Sequence, residues 1–186
     1  MSKNFLIVID MQNDFVTGSL GSEAAQSIVG NVVKAIESFK GEEVVFTADT
    51  HPTDYSSDPE SKIVPVPHCI QDTPGWFLVP EVSRFLSEAT TLIRKSTFGV
   101  ADWRKALLIR GYHWANDLDG AIFTLCGLCT DICVVSNALS LRASFPGSEI
   151  RVVSDACAGT STEAHEAALK VMQSVGVKVV SSEDLA

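Results

Sequence analysis

Short runs that are apolar at every position limit most strongly what this chain can fold into. Phe5-Leu-Ile-Val-Ile9 has no polar interruption. A strand with one wet face alternates; a run that does not alternate is buried on both faces, as in a covered parallel sheet. Val44-Val-Phe46, Thr91-Leu-Ile93, Ala121-Ile-Phe-Thr-Leu125, Ile150-Arg-Val-Val153 and Val177-Lys-Val-Val180 read as further strands. Helical stripes lie between them. Ser22 can cap a helix that turns Ile28, Val32, Ile36 and Phe39 inward. Pro80 can open a short helix with Val82, Phe85, Leu86 and Ala89 inward. Trp103, Leu107 and Arg110 mark a helix stopped by Gly111, and another runs from about Asp131 to Ala143. Thr160-Ser-Thr-Glu163 reads as a capping box that opens a last helix, with Ala164, Ala168, Val171 and Val175 inward and Gly176 at its end.

Strand–helix alternation of this kind predicts an α/β fold. The expected form is a three-layer α/β/α sandwich around a central, mostly parallel six-stranded sheet, a single domain over residues 1–186. Strand order does not follow from the pattern. The proline-rich stretch from Thr50 to Val79 is the one long irregular segment, and a loop of that length in a compact domain is a candidate functional loop.

Ligands of such sheets bind beyond the carboxyl ends of the strands, where strand order reverses. The residues at those ends are therefore the informative ones: Asp10 after the first strand, Asp49-Thr-His51 after the second, Arg94-Lys95 after the third, and Cys126 to Cys133 after the fourth. A carboxylate, a cation and a thiol converge on one rim. Cys133 is expected in the first turn of a helix capped by Thr130 or Asp131, where backbone amides and a nearby cation stabilise a thiolate and can hold an oxyanion. Asp10 could take the thiol proton and return it to a leaving amine, and Lys95 could hold both partners in their charged forms. Each residue also has a plain alternative: a buried Cys as a small hydrophobe, an Asp capping a turn, a Lys on the surface. Cys69 and Cys157 are read in that plain way. Cys126 and Cys129 form a C-x-x-C, but Cys126 lies within an apolar strand and no second C-x-x-C completes a zinc site.

In the loop, Asp49 and His51 share one side of an extended segment, and His68 follows the stiff Pro65-Val-Pro67. With Glu60 and Asp54 between them, this His and carboxylate set suits zinc, manganese or iron, although solvated loop side chains would read the same way. His113 and His165 read as surface or capping histidines. The chain has 14 Lys and Arg against 23 Asp and Glu, a net charge of −9, which argues against nucleic acid or a membrane surface as partner. Five cysteines, an odd number, fit free thiols in a reducing cytoplasm better than a disulfide framework. Met1 to Asp10 does not read as a targeting segment.

Several segments resemble the isochorismatase-like cysteine hydrolases and, within them, the nicotinamidases. They are Ile9 to Phe15 (Ile-Asp-Met-Gln-Asn-Asp-Phe), Asp49-Thr-His-Pro52, Pro67-His-Cys69, Lys95, Gly127-Leu-Cys-Thr-Asp-Ile-Cys-Val134 and Ser154-Asp-Ala-Cys157. The resemblance implies a catalytic triad of Asp10, Lys95 and Cys133, and a cis peptide at Leu128–Cys129 that aims the Cys129 amide, with that of Cys133, into an oxyanion hole. It implies one divalent metal, zinc first and manganese or iron as alternatives, on Asp49, His51, His68 and Glu60 in a loop at about 49–79, with Asp54 as the substitute for Glu60. Val64-Pro65-Val66 stands where the family has a ring-packing aromatic, leaving Phe15, Phe98 and Trp103 as substrate-binding walls. The implied reaction is hydrolysis of nicotinamide to nicotinate and ammonia, in NAD salvage and pyridine nucleotide biosynthesis. The alternatives are a metal-independent amidohydrolase of carbamoylsarcosine or ureidoacrylate type, and a non-catalytic metal or thiol sensor. Family members often form homo-oligomers; the stripes here do not decide it.

Overall fold

The computed structural model describes residues 3–87, 90–109, 118 and 120–185. The expected ends of two helices, at Ala89 and at Arg110-Gly111, lie outside the described residues, as does His113. Among the described residues the strands are β1 (Asn4–Ile9), β2 (Glu43–Asp49), β3 (Thr91–Lys95), β4 (Ile122–Leu128), β5 (Glu149–Ala158) and β6 (Lys178–Val180). They form one six-stranded sheet in the order β3-β2-β1-β4-β5-β6, parallel throughout. The chain builds outward from β1 through β2 to β3, then returns to β1's other side with β4. The switch point lies between β1 and β4.

The helices are α1 (Asn13–Val16), α2 (Glu23–Ser27), α3 (Val29–Ser38), α4 (Pro80–Ser83), α5 (Trp103–Ile109), α6 (Val135–Ser144) and α7 (Thr162–Ser174). α2 and α3 pack on β5, and α3 also reaches β1, β4 and α4; α6 joins α5 and α7 and packs on β5 as well. Two helical layers thus cover the sheet, which is why the central strands carry no polar face. Phe5 and Phe123 are register partners on β1 and β4, stacked at 5.1 Å, and Phe145 stacks on Phe123 at 5.0 Å. All three are fully buried. Parallel pairing places the ends of β1, β2, β3 and β4 on one rim, and the long segment after β2 folds over it.

Several local expectations are corrected. Ser22 caps as read, accepting the Ala25 N–H, but the helix divides at Ile28 into α2 and α3. The cap of α7 is Ser161, which accepts the Ala164 N–H, because Thr160 gives both its N–H and its hydroxyl to the Asp131 carboxylate. α7 buries Ala168 and Met172 and leaves Val171 and Val175 exposed, so the inward stripe passes through Met172. Thr130 and Asp131 do not cap a helix over Cys133. Thr130–Val134 is a π turn led by Cys129, with Asp131 turned to Thr160 and the Thr130 hydroxyl paired with His165 Nδ1 at 2.8 Å.

Gly127 is where the β4 backbone passes close against Ile9 of β1. Its φ is +118°, and a Cβ there would meet the Ile9 carbonyl oxygen and lie 2.9 Å from the Ile9 carbon and nitrogen. Backbone cannot yield as a side chain can. Gly41 shares the left-handed conformation, with φ +93°, but has open space around it. Gly41→Ala is expected to lower stability by about 1–2 kcal/mol, the conformational cost alone. Gly127→Ala is expected to lose on the order of 4 kcal/mol or more, as the strand pairing must shift. Urea unfolding of the two variants checks this, and equal losses would contradict it.

Candidate active site

β1 ends at Ile9, and Asp10 follows in the left-handed region with φ +48°, a conformation Asp tolerates better than most residues. This turn aims the Asp10 carboxylate back over the sheet rim, where it is fully buried. Its Oδ1 accepts the Thr47 hydroxyl at 2.7 Å and its Oδ2 lies 2.7 Å from Lys95 Nζ. Lys95, the last residue of β3, also lies 3.3 Å from Asp49 Oδ1 and 3.7 Å from Cys133 Sγ. One ammonium therefore joins residues from the ends of β1 and β2 and from the turn after β4. Burial raises the Asp10 carboxyl above the usual carboxylate range, only partly offset by Lys95. Burial would lower the Lys95 ammonium, but Asp10, Cys133 and Asp49 outweigh it, so Lys95 stays charged. Burial also pushes up the Cys133 thiol against the pull of Lys95. The resting arrangement is a thiol beside a buried carboxyl group and a fixed cation.

The Leu128–Cys129 peptide bond is cis. The Cys129 carbonyl accepts the Ile132 N–H at 3.1 Å and the Val134 N–H at 3.0 Å, closing the π turn that carries Cys133. All five cysteines are free, and burial raises the Cys126 and Cys157 thiols, as expected of inert core cysteines.

A second group adjoins the first through Asp49. His51 Nε2 lies 3.2 Å from Asp49 Oδ2 and 3.7 Å from Glu60 Oε1; His68 Nε2 lies 3.6 Å and 3.5 Å from the same two oxygens. One ligand atom from each of Asp49, His51, Glu60 and His68 falls within 4.8 Å of the other three, and all four residues are buried. Asp54 is exposed and bonds Ser56, so Glu60 and not Asp54 joins the cluster. Both imidazoles have Nδ1 against an acceptor, Asp58 Oδ2 at 3.0 Å for His51 and the Val66 carbonyl at 2.8 Å for His68. Acceptors at Nδ1 can hold the ring proton there when a cation takes Nε2, the form in which histidine binds a metal. Two imidazoles and two carboxylates make a donor set that fits a divalent cation of the zinc, manganese or iron kind.

Tyr55, Gln12 and Asp14 support this arrangement and were not singled out from the sequence. The Tyr55 ring packs edge-on against both His51 and His68, at 5.1 and 5.3 Å, and its hydroxyl donates to the Val64 carbonyl. Asp14 Oδ2 accepts the Cys69 N–H at 2.8 Å, anchoring the residue after His68 to α1. Gln12 is fully buried; its amide nitrogen donates to the Asp49 and Trp76 carbonyls at 2.9 and 2.8 Å, and its oxygen accepts the Asp49 N–H at 2.7 Å. A polar residue inside an apolar rim is the signal that could have found Gln12, since buried amides must be paired.

The two groups open into one cavity of about 240 Å³. Asp49, Glu60 and His68 line it together with Cys129 and Cys133; Phe15, Leu20, Val64, Phe98 and Ile132 supply the apolar lining, with Thr160 also present. This is below the ≈ 300–1,000 Å³ of drug-sized sites and suits a single-ring molecule. Trp103 does not line it. It is fully buried in the hydrophobic core at the start of α5, so its size is used for packing. A larger open groove of about 860 Å³ lies by Phe39, Val44 and Phe85, at the opposite end of β2, away from these groups.

Gln12→Leu keeps the volume but strands two carbonyls and an N–H at the base of the cavity. At about 1–3 kcal/mol per unpaired group, stability should fall by on the order of 3 kcal/mol or more. Denaturant unfolding of the variant checks this; a loss below 1 kcal/mol would show that other groups hold Asp49.

An isochorismatase domain model matches residues 4–184. The nicotinamidase/pyrazinamidase of Mycobacterium tuberculosis is 30% identical over 191 residues, 95% of this chain and 98% of that protein. The solved nicotinamidase/pyrazinamidase of Bacillus subtilis is 31% identical, with a TM-score of 0.80 over 96% of this chain and 99% of the other. The pyrazinamidase of Pyrococcus horikoshii, solved in complex with zinc, is 30% identical, with a TM-score of 0.76 over 96% and 99%. The shared sheet, the extent of the match and the identity over nearly the full length place this chain in the isochorismatase domain family.

Proposed function

We propose that the protein is a nicotinamidase, hydrolysing the carboxamide of nicotinamide to nicotinate and ammonia. The observation that carries this reading is the single small cavity that receives both the Cys133 thiol and the Asp49–Glu60–His68 donors. A molecule spanning the two needs a heterocyclic donor atom at one end and an electrophilic carbon at the other, with a flat apolar body between.

Asp49, His51, Glu60 and His68 hold the cation in this reading, zinc by preference. When bound, that cation supplies a Lewis-acid contact for a ring nitrogen and so orients the ring. Phe15 and Phe98 pack the ring, with Val64 and Ile132 completing the wall. Asp10 accepts the proton of Cys133, and the sulfur attacks the carboxamide carbon. Backbone N–H groups of Cys129 and Cys133 donate to the developing oxyanion, donors worth roughly 3–4 kcal/mol each. The C–N bond then breaks. Asp10 returns its proton to the nitrogen, ammonia leaves, and a thioester on Cys133 remains. Water, deprotonated by Asp10, attacks the thioester, the C–S bond breaks, Asp10 returns the proton to the Cys133 sulfur, and the acid leaves, ionising to nicotinate in solvent. Lys95, 2.7 Å from Asp10 and 3.7 Å from Cys133, keeps its charge throughout and balances the anion as it moves between them. The product acid would feed NAD salvage.

Ammonia release from nicotinamide, pyrazinamide, carbamoylsarcosine and ureidoacrylate tests the reading. Turnover of the two ring carboxamides is expected, and turnover of only the ureido or carbamoyl substrates, or of none, overturns it. Cys133→Ala should remove turnover, by a factor of at least about 10⁴ as for the loss of other covalent nucleophiles, while keeping its metal. Normal ammonia release by that variant would refute the nucleophile assignment. His51→Ala should lose metal and raise KM, measured by metal analysis and steady-state kinetics.

A further inference from the structure

Asp58 stands just outside the cluster and uses its two carboxylate oxygens on two different members of it. It precedes the 3₁₀ turn Pro59–Lys62 and is 7% exposed. Oδ1 accepts the Glu60 N–H at 2.9 Å, and Oδ2 lies 3.0 Å from His51 Nδ1. Its own backbone is held at both groups: the Asp58 N–H donates to the Tyr55 carbonyl at 3.0 Å, and the Asp58 carbonyl accepts the Ser61 N–H and hydroxyl at 3.1 and 2.7 Å. The carboxylate is therefore delivered from a fixed frame. His68 has a different support, the neutral Val66 carbonyl.

We propose that Asp58 is a positioning residue for the metal site, setting the His51 tautomer through Oδ2 and the Glu60 backbone through Oδ1. The inference rests on the reading that Asp49, His51, Glu60 and His68 hold a divalent cation. Both ring nitrogens of His51 face carboxylates, Nδ1 toward Asp58 and Nε2 toward Asp49 at 3.2 Å. With a cation on Nε2 the proton of a neutral His51 is left on Nδ1, where the Asp58 oxygen, an acceptor only, receives it. An anionic acceptor also makes the imidazole a stronger donor than a carbonyl does. Asp58 is absent from the cavity lining and touches no reacting group, so its effect reaches the chemistry only through His51 and Glu60.

Asp58→Asn separates positioning from plain turn capping. Asn caps a helical turn as well as Asp does, so the bond to Glu60 survives. Its amide NH₂ then faces His51 Nδ1, which must become an acceptor, placing the imidazole proton on Nε2 inside the cluster. Zn²⁺ affinity of the metal-stripped full chain, measured by competition with a chromophoric chelator, should fall about 10–100-fold in Asp58→Asn. The melting temperature of the metal-free variant should stay within about 2 °C of wild type, the scale of a change of no more than about 1 kcal/mol. Asp58→Ala should lose at least as much affinity. Unchanged Zn²⁺ affinity in Asp58→Asn overturns the proposal, as does a loss that appears only with Ala and follows its melting temperature. A wild-type chain that takes up no stoichiometric Zn²⁺ overturns instead the metal reading on which this rests.

Discussion

Lys95 Nζ sits in the interior with Asp10 at 2.7 Å, Asp49 at 3.3 Å and Cys133 at 3.7 Å, and the rest of the site is arranged around that contact. A buried ammonium without partners would give up its proton, and two buried carboxylates without a cation would take one up. Together the carboxylates keep the ammonium charged, and the ammonium offsets part of the burial that raises Asp10. Removing any member leaves an unpaired charge in the interior, a loss of roughly 3–5 kcal/mol in comparable buried pairs. The ion pairs also act as a geometric clamp, because Asp10, Asp49 and Lys95 belong to three different strand ends.

Asp49 connects this clamp to the neighbouring cluster. Its Oδ1 faces Lys95, and its Oδ2 faces His51 and His68. The thiol side and the His–carboxylate side thus share a carboxylate, and neither can move without disturbing the other. Gln12 holds the Asp49 backbone from both its N–H and its carbonyl, so the shared residue is fixed at main chain and side chain alike. Hydrogen bonds that fix a shared carboxylate from behind keep a site within the small tolerances chemistry needs.

Much of the fold was legible because β1 and the inner part of β4 carry no polar face, and only a doubly covered sheet buries such strands. Local ends were less legible. Thr160 and Ser161 are equally good caps in sequence; Asp131, far away along the chain, takes the Thr160 donors and leaves the cap to Ser161. The α7 stripe was misplaced for a related reason, since Val171 and Met172 are both apolar and only the layer beneath decides which turns inward. Trp103 looked like a pocket wall because aromatic residues serve both packing and binding, and its burial at the start of α5 assigns it to packing.

The sequence by itself determined the chemistry at each strand end: a carboxylate at Asp10, a cation at Lys95, a thiol at Cys133, and two imidazoles with carboxylates in the long segment. Residue type and position along a strand are local properties, and strands of one parallel sheet share a rim. Tertiary structure decided how these groups meet, atom by atom. The order β3-β2-β1-β4-β5-β6 puts the reversal between β1 and β4, bringing Asp10 beside the turn that holds Cys133. It also brought Glu60, the expected ligand, into the cluster rather than its substitute Asp54, buried Gln12 under Asp49, and set Asp58 behind His51. Those outcomes depend on through-space pairing of buried polar groups, whose partners lie as many as 85 residues apart along the chain, from Asp10 to Lys95 (95 − 10), and leave no periodic trace in the sequence.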